Sequence, residues 1–504
     1  MKSVKFFILA VGLITTACGV LPSAKGKNGY NIVLTLSGDL NSAGSVFQSS
    51  ATDINLSGAA DNKQSGAADN KQSGAADNKQ SGAADNSQSD KKEPKLNLFK
   101  KNVKDDTAKE KERSKVTLAL QNADKIVVIN STPVVKSGTY RFEDKQTLAP
   151  GQYIFLLNGK RLFNFLISSE KWVDLQFSAK IEHGRATQIT AKGDKENNAY
   201  IEFQRFIQEA NRNPNTPLSE YDISQIDRYA DSIAKRFPNT VLALIANFTS
   251  KPPHPKYMAL HDPRVLNTSY LPLLMRNYFT NLVSDHSYSV IPQVDSILNR
   301  CTNPLVKEWC GEFLLNYFFS SNIMGMENVT VHIAKKYLDG ELKASDNEML
   351  AELWNYVAFN ERCLLGMPAP ELRLPDLSNQ LKSLRDIRAN YTILLFYDDD
   401  CPICREEIPK INEIYRQYRT KGVAVYAVYT QDRYNMWRNY TQNLNEWIHV
   451  WDPYFASGFH RLYNVTGTPK LYLLDRNKTI IGRGIDSEIL QQLLTFYINK
   501  ETVH

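Results

Sequence analysis

Hydrophobic and polar positions fall into three successive patterns along the chain of 504 residues. From Tyr30 to Leu36 apolar residues alternate with polar ones, placing Ile32, Leu34 and Leu36 on one face of a strand. Alternation resumes at Val116, Leu118 and Leu120 and continues through Ile126–Ile129 and Tyr140–Phe142. Tyr153–Leu157 and Arg161–Ile167 then flank Asn158-Gly159, a dipeptide suited to a type I′ hairpin turn. Val173, Leu175 and Phe177 add another strand. These elements predict an antiparallel β domain over about 29–192, without a catalytic constellation.

After Gly193 the period lengthens to that of a helix. Tyr200, Phe203, Phe206 and Ile207 share one face, as do Ile226, Tyr229, Ile233 and Phe237 ahead of Pro238. Helical periodicity continues through 290–320, Val331–Leu338 and Met349–Phe359, predicting an all-α domain over about 194–362 whose aromatic stripes are core. The third pattern is mixed. Ile393–Tyr397 is a continuous apolar run, suited to a strand buried on both faces. Val423–Tyr429 and Ile448–Trp451 are further strands, with Trp437 on a helix between them. Phe455–Tyr463 reads as a helix. Lys470–Leu474 and Thr479–Ile485 form a hairpin around Asp475–Lys478, and Ile489–Ile498 is a closing helix. The fold class is therefore multidomain: an antiparallel β domain, an all-α middle domain, and a C-terminal α/β domain over 364–504.

Two stretches stand outside these patterns. Residues 57–88 are four copies of Ser-Gly-Ala-Ala-Asp-Asn-Lys-Gln, the last with Ser87 in place of lysine, followed by a lysine-rich run over 91–115. Small, polar, repetitive units have nothing to bury, so about 45–115 reads as a disordered insertion within the β domain. Residues 1–18 have Lys2 and Lys5, an apolar run from Phe6 to Ile14, and Thr15-Thr16-Ala17-Cys18. The run is too short to span a bilayer and follows the pattern of a secretory signal. Its end resembles a bacterial lipobox, which makes Cys18 the expected lipidation site and implies a membrane anchor for the mature chain. The net charge of +6 is small for this length and gives no indication of nucleic acid binding.

The chemistry gathers between Asp398 and Pro409. Three acids, Asp398, Asp399 and Asp400, precede Cys401-Pro402-Ile403-Cys404, and Ile408, Ile411, Ile414 and Tyr415 recur at helical spacing. The cysteines thus sit at a strand-to-helix junction, where unpaired backbone N–H groups and the helix dipole favour a thiolate. Cys401 is the candidate nucleophile and Cys404 the resolving thiol, the two forming a redox-active disulfide. A structural zinc would need a second pair of ligands; there is no second C-x-x-C, and His449 and His460 are isolated, so no metal or cofactor is expected. Thr468-Pro469 precedes a strand and reads as a cis-proline loop facing the cysteines. Of the other cysteines, Cys301 and Cys310 flank a helix break at Asn303-Pro304, either as a disulfide staple or as buried inert thiols, and Cys363 has no assigned role.

The last 140 residues or so resemble thioredoxin-like oxidoreductases of the TlpA and ResA kind. The resemblance begins at Gly366-Met367-Pro368-Ala369-Pro370 and includes Cys401, Cys404, Pro409, Thr468-Pro469 and Glu407, which matches the helix glutamate that tunes the thiols in ResA-like proteins. Two positions depart from the pattern: Leu395 replaces the strand aspartate six residues before the first cysteine, and Asp400 replaces the tryptophan often found just before it. The resemblance implies thiol-disulfide exchange with disulfide-containing exported proteins, a proton-handling role for Glu407, a loop of Thr468-Pro469 that pairs with the substrate backbone, and a membrane thiol electron donor. The two preceding domains resemble the β and helical domains of similar lipoproteins. By the same analogy, with no Asp at position 19, the expected location is the cell envelope, on the periplasmic face of the outer membrane. The three acids and the absence of histidine between the cysteines favour a reductant, although the acids also suit a solvated pre-helix loop. A disulfide oxidase or isomerase on the same fold, or an envelope binding lipoprotein with an ancillary thioredoxin unit, are the alternatives. A peroxidase is less expected, because peroxiredoxins place a threonine where Asp398 stands.

Overall fold

A computed structural model of the protein describes residues 29–38, 114–212, 218–338 and 348–502. The signal segment with Cys18 and the octapeptide array lie outside the described residues.

The N-terminal region contains strands β1 (Tyr30–Gly38), β2 (Lys115–Asn122), β3 (Lys125–Pro133), β4 (Thr139–Asp144), β5 (Gly151–Leu157), β6 (Lys160–Ile167), β7 (Val173–Glu182) and β8 (Arg185–Ala191). They form two four-stranded sheets, ordered β4-β1-β7-β8 and β3-β2-β5-β6. Alternating residues from both sheets, among them Ile32, Leu34, Phe142, Phe155, Phe165 and Phe177, bury a common core. The β5–β6 turn has positive φ at both central residues, 52° at Asn158 and 78° at Gly159, as a type I′ turn requires. The domain is not purely antiparallel: β1 pairs antiparallel with β4 but parallel with β7, from Tyr30↔Val173 to Gly38↔Ile181. Alternation sets which face of β1 is buried. It carries no information on which distant strand lies alongside, or in which direction.

The middle region is helical: α1 (Lys195–Ala210), α2 (Glu220–Arg236), α3 (Val241–Ser250), α4 (Tyr270–Asn277), α5 (Ser287–Arg300), α6 (Pro304–Phe319), α7 (Met326–Tyr337) and α8 (Glu348–Asn360). Local chemistry starts several of them. Asp194, Ser219, Thr240 and Asn303 each accept a hydrogen bond from an N–H of the first turn, and Pro304 stands at the first helical position of α6. Cys301 and Cys310 are free thiols within this core. The buried Asn197 side chain joins α1 to the β domain, accepting from the Leu166 N–H at 2.7 Å and donating to its carbonyl at 2.9 Å.

The C-terminal region opens with a small hairpin, β9 (Arg373–Pro375) and β10 (Leu381–Ser383), and continues with β11 (Tyr391–Tyr397), α9 (Pro402–Tyr418), β12 (Val423–Tyr429), α10 (Tyr434–Asn443), β13 (Ile448–Trp451), α11 (Phe459–Leu462), β14 (Lys470–Leu474), β15 (Ile480–Arg483) and α12 (Ser487–Thr502). A five-stranded sheet has the order β13-β12-β11-β14-β15, with β11, β12 and β13 parallel and β14 and β15 antiparallel. The central strand β11 is buried on both faces: Ile393, Leu395 and Tyr397 enter one core, Leu394 and Phe396 the other. The helix expected over Phe455–Tyr463 shortens to α11. The Asp452 carboxylate takes the N–H groups of Ala456 and Ser457 at 2.9 Å, and Gly458 turns the chain at φ +66°, so the helix starts only after it. Among the described residues no helix is long and apolar enough to cross a membrane.

The helical and C-terminal regions share a buried polar seam. Arg483 of β15, 4% exposed, hydrogen-bonds the Asn360 side chain at the end of α8, which also receives the Asn464 amide at 3.0 Å. Asn328 of α7 brackets Leu365 through both backbone groups, at 2.8 and 3.2 Å.

Candidate functional site

The strand register assembles the site. β11 and β14 pair antiparallel with Leu395 opposite Leu471 and Phe396 opposite Lys470. The segment leaving the C-terminal end of β11 is thereby set against the segment entering β14. The first is Asp398–Cys401, the second Thr468-Pro469, whose peptide bond is cis.

Cys401 is the N-cap of α9, and Pro402 occupies the first helical position. Its sulfur accepts the Cys404 backbone N–H at 3.1 Å, an unpaired helix-end donor that also stabilises a thiolate. Its thiol donates to the Thr468 carbonyl at 3.0 Å. Cys401 is part-exposed, whereas Cys404 is buried. Burial, reinforced by the hydrogen bond with Cys401, pushes the Cys404 thiol up to about 12, so it stays protonated at neutral pH. One accessible sulfur on a helix N-terminus, backed by a buried protonated partner one turn away, has the arrangement of an attacking and a resolving thiol.

The three acids do not behave as one solvated loop. Asp398 accepts the Cys401 N–H at 2.7 Å and the Thr468 hydroxyl at 2.5 Å. The Asp399 side chain, 6% exposed, accepts the Tyr429 hydroxyl and pairs with Arg433 at 2.8 Å. Asp400 is exposed and pairs with the same guanidinium at 2.5 Å. Arg433 thus offsets one of the three negative charges that the sequence places beside the thiol, which weakens the electrostatic argument for a reductant. Sequence reasoning missed Arg433, and it placed Asp398 beside the thiol without giving it a structural role. The position of Asp398 three residues before Cys401 was visible, but its second partner lies 70 residues further on.

Glu407 does not reach the sulfurs through any hydrogen bond in the site. Its carboxylate accepts the Ser487 N–H at the start of α12 at 2.7 Å and pairs with Lys410 at 2.9 Å. Burial acts to raise this carboxyl, but the hydrogen bonds from Lys410 and Ser487 outweigh it and hold it below the ordinary carboxylate value. His449 is buried behind the site. With Nε2–H donating to the Leu444 carbonyl at 2.9 Å and Nδ1 facing the Tyr397 hydroxyl at 3.3 Å, its network fits a neutral ring, and burial lowers its pKa to about 4.

Comparison with known proteins places this geometry. Residues 365–483 match the model of the AhpC/TSA family. The chain is similar to a thiol-disulfide oxidoreductase ResA of Bacillus cereus, 24% identical over 144 residues, covering 27% of this chain and 79% of that protein. It is also similar to the thioredoxin-like protein YneN of Bacillus subtilis, 27% identical over 137 residues, covering 25% and 78% respectively. Among solved structures, a domain of a possible thiol-disulfide isomerase from Cytophaga hutchinsonii is 33% identical, with a TM-score of 0.27, covering 29% of this chain and all of that one. A thioredoxin-like protein from Bacteroides caccae is 19% identical, with a TM-score of 0.36, covering 54% and 93%. The C-terminal part of the chain is thus thioredoxin-like and similar to the AhpC/TSA family over residues 365–483, and the proteins it is similar to include ones named thiol-disulfide oxidoreductase and thioredoxin-like protein.

Proposed function

We propose that this protein is a membrane-tethered, extracytoplasmic thiol-disulfide oxidoreductase that reduces disulfides of exported proteins. The observation that carries the reading is the Cys401 sulfur: part-exposed at a helix N-terminus, fed by the Cys404 N–H, and set against the Thr468-Pro469 loop. The Cys401 thiolate attacks a client disulfide, forming a mixed disulfide and releasing one client thiolate. Cys404 loses its proton and attacks the Cys401 sulfur, forming the Cys401–Cys404 disulfide and releasing the second client thiol. Two electrons pass from the cysteine pair to the client, and a membrane thiol donor restores the pair. The Thr468-Pro469 backbone guides the client, and lipid chains on Cys18 hold the protein at the periplasmic face of the outer membrane.

A second reading has a specific observation in its favour. Partial compensation of Asp399 and Asp400 by Arg433, together with the N–H bond to the Cys401 sulfur, suits a stabilised thiolate and hence an oxidase or isomerase.

A Cys404→Ser variant tests the exchange reaction. Covalent mixed disulfides between Cys401 and exported proteins, lost in Cys401→Ser, support it. Partners held equally well and non-covalently by Cys401→Ser would instead indicate a binding lipoprotein.

A further inference from the structure

The Asp398 carboxylate joins two parts of the redox site that come from different stretches of the chain. One oxygen accepts the Cys401 N–H at 2.7 Å and the other accepts the Thr468 hydroxyl at 2.5 Å. The Cys401 thiol closes the ring by donating to the Thr468 carbonyl at 3.0 Å. Thr466 and Gly467 are exposed, and a Cβ built on Gly467 would meet nothing within 4 Å.

The two ties differ in what happens to them during exchange. The Cys401 thiol bond needs a sulfur-bound hydrogen, so it vanishes in the thiolate, in a mixed disulfide and in the Cys401–Cys404 disulfide. The Asp398 bonds use a backbone N–H and a hydroxyl, which no step of exchange consumes. Asp399 and Asp400 cannot substitute, because Arg433 and Tyr429 hold them.

We propose that Asp398 is the positioning residue that keeps the Thr468-Pro469 loop docked on the α9 N-terminus throughout the thiol-disulfide cycle, supplying the tie between them that survives when Cys401 is oxidised. Its kinetic consequence rests on the oxidoreductase reading; the tie itself does not. Asp398→Asn keeps both contacts, since a carboxamide still accepts the N–H and its NH₂ can donate to the Thr468 oxygen. Asp398→Ala and Thr468→Val each remove the tie.

The test is a double-mutant cycle in the full chain. In the oxidised protein, Asp398→Ala and Thr468→Val each lower the melting temperature by a few degrees, and combining them lowers it no further than Asp398→Ala alone, because both break one bond. Toward a protein disulfide, kcat/KM falls about tenfold in Asp398→Ala and is rescued in Asp398→Asn, which removes the same charge but keeps both contacts. Additive shifts in melting temperature, or a loss in Asp398→Asn as large as that in Asp398→Ala, would overturn the proposal. A wild-type chain that reacts with a small aromatic disulfide yet turns over no protein disulfide would sink the oxidoreductase reading, and the melting cycle would still decide the tie.

Discussion

The Cys401 sulfur lies 3.0 Å from the Thr468 carbonyl oxygen, although 67 residues separate the two. The antiparallel register of β11 and β14 brings them together: with Phe396 opposite Lys470, the residues just beyond each strand end must meet. A nucleophile and the loop expected to orient its substrate are thus brought together by the sheet.

The contrast between the two sulfurs of the pair predicts selective alkylation. Cys301, Cys310, Cys363 and Cys404 are buried and Cys401 is not. Brief treatment of the reduced native protein with iodoacetamide at neutral pH should label Cys401 alone among these five, as read by peptide mass spectrometry. Labelling of Cys404 at a comparable rate would contradict the burial that holds its thiol near 12.

Glu407 should matter more for stability than for redox chemistry. Its lowered carboxyl means that stability is present above the ordinary carboxylate pKa and is lost as pH falls through the depressed value. Glu407→Gln should cost about 1 kcal/mol at neutral pH through the weakened bond to the α12 N-terminus, and it should leave the reduction potential unchanged. A large shift in potential would restore the thiol-tuning role that the family resemblance implies.

His449 should make the C-terminal domain acid-sensitive. Its folded pKa near 4 lies below the unfolded value near 6.5, so the unfolded chain binds more protons between them and stability falls as pH drops through that window. The shift corresponds to about 3 kcal/mol. In Asn or Gln variants at position 449, the dependence of stability on pH between 6.5 and 4 should flatten, measured by denaturant unfolding across that range.

Arg483 is buried in the seam between the helical and C-terminal regions, and its Nη1 is 3.8 Å from Glu327, too far for a hydrogen bond. Arg483→Ala should cost about 2 kcal/mol through the cavity and the lost bond to Asn360. Arg483→Met, which refills the volume without a poorly paired charge, should recover most of that loss in a thermal melt.

Much of the framework was readable because it depends on local pattern. The apolar run of β11, the Asn158-Gly159 turn and the Asn303-Pro304 break each follow from a few adjacent residues. The C-x-x-C at a strand-to-helix junction was equally local. The rest depends on partners distant in sequence. The parallel pairing of β1 with β7 joins Tyr30 to Val173, and Glu407 finds Ser487 80 residues away. Asp398 and Arg433 are ordinary charged residues until the sheet brings Thr468 to one and two aspartates to the other. No periodicity encodes those meetings.

The measurement that bears most directly on the proposed function is the equilibrium reduction potential of the Cys401–Cys404 pair in the chain without residues 1–18, titrated against thiol buffers. The account predicts a value near or below that of thioredoxin, about −270 mV. A value near those of strong oxidants, about −120 mV, would contradict it and make the protein a disulfide-forming or isomerising enzyme.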